Sequence, residues 1–140
     1  MRFPANGLHP VTLHSKGEAM RVLIVDDETE FLSLIEKRLS RRKIEVTTAD
    51  NGQTALEEVQ RKPFDAVVMD VRMPGMDGLE TLRRMKALAP GLPVILLTGH
   101  ASLGVAVNGM ELGAFDYMLK PVAINELILK LEDATRSAGA

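Results

Sequence analysis

The stretch Ala66-Val67-Val68-Met69-Asp70 decides the fold. Four apolar residues run without alternation and close on a carboxylate. A strand covered on both faces reads this way, because neither side meets water. The same pattern occurs three more times. Val22-Leu23-Ile24-Val25 closes on Asp26 and Asp27, Val94-Ile95-Leu96-Leu97 closes on Thr98, and Tyr117-Met118-Leu119 leads to Lys120 and Pro121. If these runs are parallel strands, all five polar groups meet at the sheet's carboxyl edge, where open α/β sheets bind ligands.

Helical periodicity fills the intervals. Glu28 to about Arg42 carries Phe31, Leu32, Ile35 and Leu39 at spacings of three and four, an amphipathic helix. Glu45 to Thr48 reads as an edge-type strand and Asn51-Gly52 as a turn. Gln53 to Arg61 reads as a helix stopped by Pro63. After Asp70, Met73 to Gly78 is a loop and helix start, and Leu79, Leu82, Met85 and Leu88 give one apolar face. Ser102 caps a fourth helix to about Leu112, and Gly113 ends it in the left-handed conformation. Ala114 to Leu119 is the fifth strand. Asn125 caps, or nearly caps, a last helix with Leu127, Ile128 and Leu131 inward. Five βα units follow, and right-handed crossovers place helices on both faces of the sheet.

Composition narrows the function. A chain of 140 residues fits one domain with a sizeable core. Its net charge of −2 gives no reason to expect direct nucleic-acid binding. The cations Arg38, Arg41, Arg42 and Lys43 fall at a helix end, where they offset the dipole. With no cysteine, disulfides and thiolate metal sites are excluded. No apolar run approaches the ~20 residues of a membrane span. Residues 1–19 contain Pro4, Gly7, Pro10 and Gly17 without periodicity, and are expected to form a flexible N-terminal tail in which His9 and His14 are inert. Met20 is a possible alternative start. A single domain is expected over 20–137, with a frayed end over 138–140 that begins about Ser137.

The carboxylates Asp26, Asp27 and Asp70 need a counter-charge. Two unit charges ~4 Å apart repel by roughly 4 kcal/mol at an effective dielectric of 20. A hard divalent ion relieves this, and Mg²⁺ is the usual choice where phosphate is handled. Asp70, ending a central strand before a loop, suits attack on a phosphoryl group to give an acyl phosphate. Lys120 and Thr98 suit its oxygens. Each residue has an ordinary alternative. Asp26 or Asp27 could simply cap the first helix, and Asp70 could be another carboxylate at a helix start. Thr98 could be a plain strand end, Lys120 a solvated lysine and Tyr117 a core aromatic. The conjunction at one edge carries the specificity.

Over about Met20 to Thr135 the sequence resembles the receiver domain of bacterial two-component response regulators. The matching stretches are Val22 to Glu28, Val68 to Gly78, Leu97-Thr98-Gly99 and Gly113 to Pro121. Thr98-Gly99-His100 and Gly113-Ala114-Phe115-Asp116-Tyr117 are most similar to receivers of the nitrogen-regulation activator type. The resemblance implies a flavodoxin-like five-stranded parallel sheet in the order 2-1-3-4-5, with Asp70 as phospho-acceptor. It implies Mg²⁺ held by Asp27 and Asp70, by Asp26 through water, and by the backbone carbonyl of Arg72. Thr98 and Tyr117 are the implied switch pair, and Lys120 the implied phosphate-pairing cation. A sensor histidine kinase or phosphotransfer protein is the implied partner, and a cytoplasmic location is expected. Such a domain catalyses only its own phosphorylation and dephosphorylation, so it is no enzyme in the ordinary sense. Arg72 and His100 are expected to flank the path of an attacking water and Gly99, with no side chain, to leave it open, so that the three tune phosphate lifetime. Exposed Leu129 on the last helix suggests weak pairing of two copies through that helix and the fifth strand.

Two other readings share the same sheet. An aspartyl-phosphate phosphatase or phosphotransferase of the haloacid-dehalogenase type usually has a second carboxylate two residues after its nucleophile, where this chain has Arg72, and no cap domain is available. A flavin or nucleotide module wants a Gly-rich or Ser/Thr-rich loop after the first strand. This chain has Asp26-Asp27-Glu28 there.

Overall fold

A computed structural model describes residues 19–139. The tail, with His9 and His14, lies outside the described residues except at its last position. The elements are β1 (Arg21–Val25), α1 (Thr29–Ser40), β2 (Glu45–Ala49), α2 (Gly52–Arg61), β3 (Ala66–Asp70), α3 (Gly78–Leu88), β4 (Val94–Thr98), α4 (Leu103–Glu111), β5 (Asp116–Leu119) and α5 (Ile124–Gly139). A 3₁₀ turn over His100–Ser102 precedes α4. The strands form one parallel sheet in the order β2-β1-β3-β4-β5, as the sequence reading expects.

Strand alternation divides the core into two layers. Val22, Ile24, Ala66, Val68, Ile95, Leu97 and Met118 face α1 and α5, where they meet Leu32, Ile35, Leu39, Leu127, Ile128, Leu131 and Ala134. Leu23, Val25, Val67, Met69, Val94 and Leu96 face the layer of α2, α3 and α4, with Ala55, Leu56, Leu82, Met85 and Ala106. Every residue of β3 and of β4 is buried. The outer strands β2 and β5 are only partly covered. Each fully buried Leu, Ile or Val contributes about 1.5–3 kcal/mol relative to exposure, so the central strands hold the sheet's position. Met20 is 1% exposed within this core.

Several local expectations need correction. Asn51-Gly52 is not a turn but a helix start: Asn51 Oδ1 accepts from Thr54 N at 2.8 Å, and Gly52 opens α2. Asn–Gly serves either purpose, and the apolar face that follows decides for the cap. Gly52 has a further reason, since a Cβ there would lie 2.2 Å from Thr81 Oγ1. Ser102 makes no side-chain cap for α4, because the preceding 3₁₀ turn already directs the chain. Asn125 lies inside the first turn of α5, and its Oδ1 accepts from Arg42 Nη1 at 3.0 Å, tying α5 to the end of α1. β5 begins at Asp116 instead of Ala114. Leu88 is 49% exposed and does not complete the inward face of α3. Helix α5 continues to Gly139, past the Ser137 at which fraying is expected. Gly113 does take a positive φ, +106°, after α4.

Candidate phosphoryl-transfer site

The sheet positions the site through its backbone. Asp26 N donates to Ala49 O at 3.1 Å and Val71 N to Leu97 O at 3.0 Å, while Lys120 N donates to Thr98 O at 2.8 Å. These bonds fasten the end of β1 to β2 and the ends of β3 and β5 to β4, and the pairing of Val25 with Met69 joins β1 to β3, so the strand ends meet at one edge. Two tight side-chain turns follow: Glu28 N donates to Asp26 Oδ1 at 2.9 Å, and Arg72 N to Asp70 Oδ1 at 3.1 Å. Each leaves the second oxygen of its carboxylate directed elsewhere. The loop after Asp70 closes on itself, with Gly78 N donating to Val71 O at 3.1 Å. A Cβ at Gly78 would lie 2.6 Å from Asp70 O and from Val71 Cα, so only glycine fits.

Asp26, Asp27 and Asp70 converge as expected, with one oxygen of each within 4.8 Å of the others. Asp26 is wholly buried, Asp70 nearly so, and Asp27 is exposed. Burial pushes the Asp26 carboxyl above its usual range; hydrogen bonds from Lys120 and the Glu28 amide oppose this, and the Asp70 charge adds to it. Lys120 reaches into the cluster. Its Nζ lies 2.7 Å from Asp26 Oδ2, 2.9 Å from Glu28 Oε1 and 3.3 Å from Asp70 Oδ2. Burial acts to lower its pKa, but the bonds to Asp26 and Glu28 and the charges of Asp70 and Asp26 outweigh burial and raise it. The Lys120–Pro121 peptide bond is cis. Four carboxylates around one ammonium remain net negative, and the all-oxygen set of Asp26, Asp27 and Asp70 fits a hard divalent cation.

The remaining predicted residues surround this cluster. Thr98 is fully buried, and its hydroxyl donates to Gly99 O at 2.9 Å. Tyr117 is half-buried against the core layer of α2, α3 and α4. Arg72 and His100 are exposed at the edge, and a Cβ on Gly99 would meet nothing within 4 Å. Two residues with a part in the site escape sequence reasoning. Glu28 binds Lys120, and the Phe31 ring lies under the same ammonium, 4.5 Å from its centre. The carboxylate directly after Asp26-Asp27 was the available signal for Glu28. Phe31 gave none, since its spacing matched the apolar stripe of α1.

The sheet order and the pocket together define a doubly wound α/β domain with an acidic cluster and a lysine at the strands' carboxyl ends. The chain belongs to the response regulator receiver domain family, whose description it matches over residues 22–132. It is 41% identical over 113 residues to the DNA-binding transcriptional regulator NtrC of Escherichia coli (strain K12), covering 81% of this chain and 24% of that protein. It is 39% identical over 118 residues to the transcriptional regulatory protein ZraR of Klebsiella oxytoca, covering 84% and 27%. These matches bear out the likeness to the nitrogen-regulation activator type. The chain thus spans about a quarter of the length of these curated relatives. Among solved structures, a response regulator receiver domain protein from Clostridium thermocellum superimposes with a TM-score of 0.82 at 33% identity, covering 86% of this chain and 97% of that one. The receiver domain of NtrX from Brucella abortus gives 0.79 at 33% identity, covering 83% and 98%. Among the described residues, no helix is long and apolar enough to cross a membrane.

Proposed function

We propose that this receiver accepts a phosphoryl group on Asp70 from a partner histidine kinase or phosphotransfer protein, and that Mg²⁺ at Asp26, Asp27 and Asp70 is required. The observation that carries the reading is the placement of Lys120 Nζ 3.3 Å from Asp70 Oδ2, within a cluster of carboxylates that calls for a divalent cation. Asp70 attacks the phosphorus of a phosphohistidine. The P–N bond breaks, an acyl phosphate forms, and the leaving imidazole takes up a proton. Mg²⁺, when bound, neutralises the carboxylates and the phosphoryl oxygens. Asp70 is held for attack by the Arg72 amide. Lys120 then pairs with one phosphoryl oxygen and Thr98 with another. Later attack by water on phosphorus breaks the acyl-phosphate P–O bond and returns the carboxylate and inorganic phosphate. No external metabolite is turned over.

The proposed switch couples that group to α4, β5 and α5. Thr98 leaves the Gly99 carbonyl for the phosphate, and Tyr117 fills the space it vacates. Most of the exposed large apolar side chains among the described residues support this choice of readout face: Leu103, Val107, Met110, Leu119 and Leu129 lie on those three elements, while Leu34 and Leu88 lie on α1 and α3. Incubation with acetyl phosphate, with and without Mg²⁺, tests the assignment. Labelling is expected only with Mg²⁺ and only on Asp70; equal labelling of Asp70→Asn would remove Asp70 from its role.

A further inference from the structure

Lys120 has two sets of partners. The inner set is Asp26 and Asp70, at 2.7 and 3.3 Å, which are also members of the metal-binding triad. The outer set is Glu28, at 2.9 Å, and the Phe31 ring, at 4.5 Å. Glu28 stands outside the triad and precedes α1, with a side chain 65% exposed. Phe31 follows three residues later, on the same edge of the helix.

A divalent cation and the ammonium draw on the same two carboxylates, Asp26 and Asp70. At equal distance, a doubly charged ion repels the ammonium about twice as strongly as a single charge. The inner partners cannot hold both at close range. The outer partners belong to the lysine alone. The bond to Glu28 is also modest enough for a phosphoryl group to draw the ammonium from it later, because exposed ion pairs are worth little. A cation–π contact adds an attraction that metal binding leaves intact.

We propose that Glu28 and Phe31 form an outer seat for the Lys120 ammonium. When metal enters the triad, Lys120 leaves Asp26 and Asp70 and stays with Glu28 and Phe31 at the mouth of the pocket, within reach of a phosphoryl group on Asp70. Glu28 is a positioning residue. It makes room for the metal without letting the lysine escape to solvent. The inference rests on the roles proposed above for Asp70 and Lys120.

The test uses the full chain, Mg²⁺ alone, and no phosphodonor. Mg²⁺ affinity is measured by calorimetry for Glu28→Gln, with Lys120 present and again in Lys120→Gln. Glu28 shares the ammonium with Asp26 and Asp70 before metal enters and holds it with Phe31 alone afterwards. The seat therefore requires Glu28→Gln to weaken binding by up to about five-fold when Lys120 is present, the ceiling an exposed ion pair sets. The loss must be clearly smaller in Lys120→Gln. The same ratio in both backgrounds makes Glu28 a bare surface charge and overturns the proposal. A second readout needs no substitution at Glu28. In protein with ¹³C-labelled lysine, the Lys120 Cε protons should remain shifted by the Phe31 ring at saturating Mg²⁺, and should lose that shift in Phe31→Leu. Movement of these protons to the free-lysine position on adding Mg²⁺ to the unsubstituted protein also overturns it. Failure of Asp70 to label with acetyl phosphate sinks the functional reading instead, and leaves the Mg²⁺ titrations to judge the seat by themselves.

Discussion

Replacing Lys120 with methionine in metal-free buffer isolates what the ammonium does for the fold. The change leaves Asp26, with a wholly buried side chain, and Asp70, with 11% of its side chain exposed, without their shared cation. Removing one member of a buried pair costs about 3–5 kcal/mol. Two features reduce that figure here. The Glu28 amide still donates to Asp26 Oδ1 at 2.9 Å, and burial already raises the Asp26 pKa, which makes proton uptake easier. A loss of about 2–3 kcal/mol is expected, or a fall in Tm of roughly 8–12 °C for a domain of this size. Urea and thermal unfolding followed by circular dichroism measure it, since the chain has no tryptophan and one tyrosine. Two controls sharpen the reasoning. Asp26→Asn in the same background removes the orphaned charge and should recover most of the loss. Mg²⁺ at about 100 times its Kd should add about 2.7 kcal/mol. The pH dependence has a definite sign. Asp26 is raised in the folded state, so its charge destabilises above the folded pKa and the deficit of Lys120→Met shrinks as pH falls. Lys120 is also raised, so its stabilisation in the unsubstituted protein is complete below the unfolded lysine value of about 10.4 and is lost only as pH rises through the folded value. If Lys120→Met in chelator matches the unsubstituted protein within about 0.5 kcal/mol, the pocket is effectively solvated and this reasoning fails.

Three further outcomes are expected. Thr98→Ala should accept phosphate at Asp70 yet fail to change binding of the output partner, as read by pull-down of the phosphorylated protein; normal binding would uncouple Thr98 from the switch. Substitutions at the exposed Arg72 and His100 should alter the phosphate half-life, measured by loss of label, without abolishing labelling; unchanged lifetimes at both positions exclude them as tuners. Leu129, 60% exposed on α5, should support weak dimerisation that phosphorylation strengthens and Leu129→Glu removes in sedimentation. That contact cannot draw on every charge nearby, because Lys130 already pairs with Asp116 of its own chain at 2.6 Å and Arg136 with Asp133.

The sheet and the triad were legible because each depends on a local rule. An unbroken apolar run marks a doubly covered strand, and the residue closing it lands at the carboxyl edge. Asp26, Asp70, Thr98 and Lys120 needed nothing more. What escaped needed information from distant parts of the chain. Glu28 and Lys120 are separated by 92 residues, and no spacing rule joins them. Phe31 fits the inward stripe of α1 and also lies beneath an ammonium, two roles that one periodicity cannot separate. Leu88 had helical spacing but fell where α3 runs past its cover. Asn125 had the chemistry of a cap, and its oxygen was taken instead by Arg42 from another helix.

The loop closed by Gly78 has a mechanical consequence. Val71 and Gly78 are latched at its base, so the intervening residues form a hoop whose two feet stand almost together. A hoop pinned in this way separates its crown from β3, except through Arg72, whose amide donates to Asp70 Oδ1. A force on Pro74 or Gly75 would therefore bend the crown first and reach the acceptor oxygen only by way of the Arg72 amide. A methyl group at Gly78 would prise the feet apart and pass every movement of the crown to the acceptor.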